Sequence, residues 1–163
     1  MKLYLEDVEN IEYKNVLDYL NSIGVTLTIK RKNKVKKPNW GTNGLHNVYD
    51  VYIFRDSKRA VFEFTDSIYN TEHNKIMSGN DEASVSSVMY CLVSDYENKG
   101  YSYDDFCDEF GYDAYEINYD TNRRVKNKTS DNIYKSVLKN NEKLNRLFSA
   151  DEINVIREIL SDY

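Results

Sequence analysis

Two acidic residues stand on neighbouring candidate strands, Asp50 in "NVYDVYIF" and Glu63 in "RAVFEFT". A divalent-metal nuclease would place an acid after one strand and Glu-x-Lys on the next, because two carboxylates hold the metal while the Lys steadies the developing charge. Here "EFT" lacks the Lys. Cys91 and His73 offer a thiol and an imidazole, yet no local motif surrounds either, and Cys91 falls within an apolar helical stripe where packing accounts for it better. With Cys91 and Cys107 sixteen positions apart and only His46 and His73 beside them, the ligand set is too small for zinc, and both cysteines are expected to be buried thiols. Phosphate-binding glycine loops, GxSxG and HExxH are all missing. The expectation is a protein without catalytic residues, metal or cofactor.

Binding chemistry is better represented. "SYDDFCDEFGYDAYEINYD", Ser102 to Asp120, interleaves seven carboxylates with Tyr and Phe and contains no Lys or Arg. The net charge of −5 conceals segregation: residues 81–120 hold eleven Asp or Glu against Lys99 alone, whereas 121–146 hold eight cations against Asp131 and Glu142. A block of one sign is most often a solvated face, but aromatic rings beside carboxylates supply both desolvatable area and complementarity to Arg and Lys. The candidate partner-binding residues are Asp104, Asp105, Asp108, Glu109, Tyr112, Asp113, Tyr115, Glu116 and Asp120. Tyr112 and Tyr115 are the expected anchors. Phe106, Cys107 and Phe110 are expected to turn inward, and Tyr103, Tyr112, Tyr115 and Tyr119 outward. The opposite chemistry lies in "KRKNKVKK", where Lys30, Arg31, Lys32, Lys34, Lys36 and Lys37 could contact phosphates while Trp40 and His46 stack on a base or sugar.

These residues need elements to carry them. Tyr13, Val16, Leu17, Leu20 and Ile23 follow helical spacing and Gly24 suits a left-handed cap, so a helix is predicted from about Asn10 to Ile23. "VTLTIKR" alternates as a half-buried strand, and "KNKVKKPNWGTNGLHN" reads as a basic loop or ragged hairpin. Strands follow at Val48–Phe54 and Arg59–Thr65 around the turn "RDSK", giving a three-stranded antiparallel meander. Residues 66–80 are a connector. Val85, Val88, Met89, Leu92 and Tyr96 mark a helix ending near Gly100, and Ser102 with Gly111 brackets a short one. Residues 112–130 read as a loop or frayed exposed helix. Ile133 to Leu147 supports a helix from about Asp131 to Phe148, and "SADE" is a capping box for the last, apolar through Ile153, Val155, Ile156, Ile159 and Leu160.

The fold class expected is α+β, a three-stranded antiparallel sheet packed against four to five helices. At 163 residues, one domain over 1–163 suffices, with an N-terminal α/β part (1–66) and a helical C-terminal part (80–163) as a subdivision. "MKLYLEDVENIEY" has four acidic side chains and no apolar run of signal length, and no stretch approaches the roughly 18 apolar residues of a membrane span, so a cytoplasmic protein without membrane contact is expected. Abundant Asn, Lys and Tyr with one Pro suggest AT-rich coding.

At "FEFTDSIYNTEHNK", "VMYCLVSDY", "YDDFCDEFGYD" and "IYKSV", the order and spacing resemble a family of small phage and prophage proteins of low-GC Gram-positive hosts, over about Val61 to Leu160. Small acidic proteins from such neighbourhoods are similar to anti-CRISPR inhibitors. The stretch 121–130 is longer and more basic than that pattern. The resemblance implies an inhibitor that presents carboxylates to the Arg and Lys with which a type II CRISPR effector nuclease holds DNA, blocking DNA binding or cleavage. Two other classes compete with it. One is a nucleic-acid-binding regulator acting through 30–37 and 123–128, and the other a homo-oligomeric structural protein.

Overall fold

The computed structural model describes residues 15–36, 44–69, 81–96 and 100–161, and Asp95 only in its backbone. The expected α+β architecture is present. Among these residues the order is α1 (Val16–Ser22), β1 (Val25–Lys36), β2 (His46–Arg55), β3 (Lys58–Ser67), α2 (Glu82–Tyr96), α3 (Tyr103–Phe110), β4 (Tyr115–Asn118), β5 (Arg123–Lys126), α4 (Lys128–Leu147) and α5 (Ala150–Leu160).

β1, β2 and β3 form an antiparallel meander in that order. Alternation puts every second residue on one face, so the cross-strand rows Ile29–Val51–Phe62 and Leu27–Ile53–Ala60 line the core. Against them pack Val16, Tyr19 and Leu20 of α1, the Val85–Tyr96 stripe of α2, Leu144 and Leu147 of α4, and the apolar face of α5. The Ser149 capping box is complete: the Ser149 hydroxyl accepts from the Glu152 amide at 3.1 Å and the Glu152 carboxylate accepts from the Ser149 amide at 2.9 Å. Arg55, at the end of β2, forks onto both oxygens of that Glu152 at 2.7 and 2.8 Å and donates to the Leu147 carbonyl at 2.8 Å. The β2–β3 turn is thereby fastened to the α4–α5 corner. Among the described residues no helix is long and apolar enough to cross a membrane.

Several expectations change. The first helix begins at Val16, because Asn15 is extended and its side chain caps the Asp18 amide at 2.8 Å; the Asn10–Lys14 part of the expected helix lies outside the described residues. β1 does not stop at Arg31 but runs to Lys36, so the basic run is mostly strand and not loop. Lysine-rich sequence suits an edge strand, where charge discourages further pairing, and Lys32 to Lys34 stand opposite Val48 alone in a bulge. Residues 115–126 form a hairpin, not a loop or helix. α4 starts at Lys128, three residues early, because the Asn127 side chain accepts from the Ser130 amide at 3.1 Å. Cys91 is exposed, not buried, whereas Cys107 is buried as expected.

A second cluster sits apart from the main core. Tyr103, Phe106, Cys107 and Val137 are buried together, flanked by Tyr101, Ala114, Tyr115, Ile133 and Tyr134. α4 joins the two, its first half covering this cluster and its last turns entering the main core. At about 1.5 Å per residue its 20 residues span about 30 Å, long enough for both.

Candidate protein-docking surface

The acidic stretch is a capped helix followed by a hairpin, both anchored on the N-terminal half of α4. Ser102 accepts from the Asp105 amide at 3.2 Å, and at the other end Gly111 adopts φ 73° while the Tyr112 amide donates to the Cys107 carbonyl at 2.9 Å. A Cβ at Gly111 would meet nothing within 4 Å, so Gly111→Ala is expected to destabilise by about 1 kcal/mol from the left-handed backbone alone, measured by chemical denaturation.

Within this helix Tyr103, Phe106 and Cys107 face α4, and Asp104, Asp105, Asp108 and Glu109, spaced i, i+1, i+4, i+5, share the exposed side. The rings interlock: Phe106 stacks on Tyr112 at 5.7 Å and tilts against Tyr134 at 5.3 Å, while Tyr103 meets Tyr134 edge-on at 5.6 Å. Hydroxyls fix the connecting backbone. Tyr103 donates to the Ala114 carbonyl, Tyr134 to that of Tyr101, and Ser130 to that of Asp113, each at 2.6 Å. Burial, followed by a hydrogen bond and charge interaction with Cys107, pushes the Tyr103 phenol up to about 12.

The expected site residues divide on this scaffold. Asp104 accepts from the Tyr115 hydroxyl at 2.6 Å, whereas Asp105, Asp108 and Glu109 are exposed and form no ion pair among the described residues. Asp113 is exposed at the helix–hairpin junction. Glu116 lies on the opposite hairpin face from Tyr115 and its carboxylate accepts from the Asn127 side-chain Nδ2 at 3.4 Å, and Asp120 is in the hairpin turn, its backbone amide donating to the Asn118 side chain at 3.0 Å. The structure therefore gathers four carboxylates on α3 and leaves the others dispersed.

The aromatic expectations are partly reversed. Tyr103 is 8% exposed and belongs to the cluster; Phe110 is 43% exposed and does not turn fully inward. Tyr115 is half-buried, meeting Tyr103 edge-on at 6.0 Å under the Arg124 guanidinium, 4.0 Å from its ring centroid, so it is a structural post and not a free anchor. Tyr112 remains partly open and Tyr119, at 94%, is the most exposed ring of the group.

Sequence reasoning missed that cations share this surface. Arg124 and Lys126 lie on the same hairpin face as Tyr115 and Ile117, and the Lys126 ammonium sits 4.7 Å from the Tyr103 ring centroid. The missing signal was the turn-forming run "NYDTN" between two short alternating segments, with Asn122 at φ 51°.

The other basic segment is occupied by its own sheet. Lys30, Asp50 and Glu63 form a cross-strand row. Lys32 pairs with Asp50 at 2.8 Å, Lys36 with Glu63, and Arg31 donates to the Asn47 side chain at 2.8 Å. Lys30 lies 5.5 Å from the Tyr52 ring centroid, and Lys34 is exposed. Burial, then the neighbouring Lys34 and Lys32 charges, hold the Lys36 ammonium below its usual range. His46 is buried and cannot stack on a base as expected. Lys37, Trp40 and His73 lie outside the described residues. Asp50 and Glu63 are indeed direct neighbours, but each carboxylate already holds a lysine from β1, the arrangement of a sheet ion-pair lattice.

No protein-family profile matches this chain, and no curated protein or solved structure is significantly similar to it.

Proposed function

We propose that the chain is an inhibitory binding protein that docks the acidic face of α3 onto a basic surface of another protein, without chemistry of its own. The observation that carries this reading is the row Asp104, Asp105, Asp108 and Glu109, displayed on a helix fixed at both ends by caps and beneath by interlocked rings. A rigid row of carboxylates meets guanidinium groups without first losing conformational entropy, and Arg pairs with carboxylates as bidentately as with phosphates. The partner we propose is an RNA-guided DNA nuclease of the type II CRISPR class, whose exposed Arg and Lys hold DNA in positively charged channels. Its phage or prophage origin belongs to the same proposal and rests on the resemblance described above.

A nucleic-acid regulator working through 30–37 and 123–128 is disfavoured at its first segment, where Arg31, Lys32 and Lys36 are bound to Asn47, Asp50 and Glu63. Phosphate contacts would have to displace these partners. The two readings make opposite predictions. Asp105→Lys with Asp108→Lys is expected to weaken binding to a guide-loaded effector by at least about 100-fold, since charge-assisted hydrogen bonds are worth roughly 1.5–3 kcal/mol each and reversal adds repulsion. Neutralising Lys34, Lys36 and Lys37 should leave inhibition intact. Calorimetric titration and a DNA-cleavage assay read both. Retention on DNA-cellulose at moderate salt, with no protein recovered from a low-GC bacterial lysate, would overturn the proposal.

A further inference from the structure

The acidic helix and the basic hairpin meet along Tyr115, whose hydroxyl donates to Asp104 on one side while its ring lies under Arg124 on the other. On the helix side of that line stand Asp104, Asp105, Asp108 and Glu109; on the hairpin side stand Arg124 and Lys126, the latter 4.0 Å from the largely shielded Asp131 carboxylate, so Arg124 is the stronger cation there. Between them the hairpin presents Ile117, 49% exposed and directly opposite Arg124 in the register, beside the half-buried ring of Tyr115, which stands opposite Lys126. The surface is thus split into halves of opposite sign around one exposed apolar side chain, Ile117, which is the layout of a small interface with an apolar centre and charged rim.

Such a surface is complementary to itself. A two-fold axis lying in the contact plane along the dividing line carries each point to its mirror position across that line, so the acidic half of one copy faces the basic half of the other, twice. A surface of one sign would repel its own copy under the same operation. We infer that the chain self-associates through this module as a weak two-fold dimer, with α3 of one protomer against β5 of its partner and Tyr115 near the axis. The occupant of the surface in the free protein is therefore a second copy of this chain, and a basic partner protein would compete with it. The dimer is expected to be weak because a helix of eight residues and a hairpin of four-residue strands offer less than the roughly 800 Å² per partner of a standard stable interface.

Sedimentation equilibrium on the purified full chain tests this without any partner. At low salt the mass should rise with concentration from 19.2 kDa toward twice that value, and about 0.5 M salt, where the Debye length is only a few ångströms, should return it to a single copy. Asp105→Lys/Asp108→Lys and Arg124→Glu/Lys126→Glu should each stay single-copy alone, yet form a one-to-one complex when mixed, because each supplies the sign the other has lost. The wild-type salt series needs no variant and guards against a substitution that disturbs the hairpin. A wild-type mass of one copy at every concentration, a dimer that persists in either variant alone, or folded variants that do not associate on mixing would overturn the inference. Effector binding is read separately, so either proposal can fail without the other.

Discussion

Phe106→Ala should unfold the 101–127 module while leaving the main core folded. Phe106 is 2% exposed and touches Phe110, Tyr112 and Tyr134, so removing its ring takes the centre from a cluster that, among the described residues, has four buried members. Large-to-small changes of this kind cost about 3–5 kcal/mol, and a satellite cluster has little stability of its own to absorb that. The main core does not contain this residue. Hydrogen exchange by mass spectrometry should therefore show amides of 101–127 losing protection while β1–β3 and α5 keep theirs, with far-UV circular dichroism reduced only slightly. Docking through α3 should disappear although every carboxylate is still present, because the row exists only while the helix does. Phe110→Ala, at a 43% exposed position, should cost less than about 1 kcal/mol and serves as the control. Uniform loss of protection across the chain would mean that the two clusters unfold as one unit.

Breaking the Arg55–Glu152 fork should instead destabilise the whole molecule. The side chains are 24% and 15% exposed, well enough shielded that the bidentate pair is not a surface ion pair, and the same carboxylate closes the α5 capping box. Arg55→Met is expected to cost about 2–3 kcal/mol and Glu152→Ala somewhat more, since it removes the cap as well, both read from urea denaturation. Burial pushes the Glu152 carboxyl up, but the bonds from Arg55 and Ser149 outweigh it and hold the group below its ordinary value of 4.5. A carboxyl depressed in the folded state binds its proton less readily there than in the unfolded chain. Its contribution is therefore complete above about pH 4.5 and is lost as pH falls through the folded value. Glu152→Gln should narrow its stability difference from wild type over that same acidic window. A constant difference from pH 7 to pH 3 would show that the pair does not drive this acid sensitivity.

The charge distribution gains a different meaning once folded. In the chain, the acidic block 81–120 and the cations that follow are separate stretches. In the molecule, Arg124 and Lys126 return antiparallel to β4 and lie beside the acidic helix, so the field near Tyr115 is a boundary between signs and not a uniform acidic patch. The basic run 30–36 undergoes the converse change, from a free cationic segment to an edge strand whose Lys32 and Lys36 are paired with acids of β2 and β3.

What the sequence determined by itself was local. Gly24 and Gly111 at positive φ, the Ser102 and Ser149 caps, the meander around Asp56 and Ser57, and the buried stripes of α2 and α5 all follow from spacing and backbone chemistry within a few residues. The four carboxylates of α3 were legible for the same reason, because helical periodicity fixes which residues share a face. What only the tertiary structure decided involves partners distant in the chain. Tyr115 is a post because Arg124 and Asp104 hold it, and β1 extends through Lys36 because Asp50 and Glu63 offer counter-charges across the sheet. Burial of a ring and pairing of a charge depend on what arrives from elsewhere in the fold, and periodicity carries no information about that arrival.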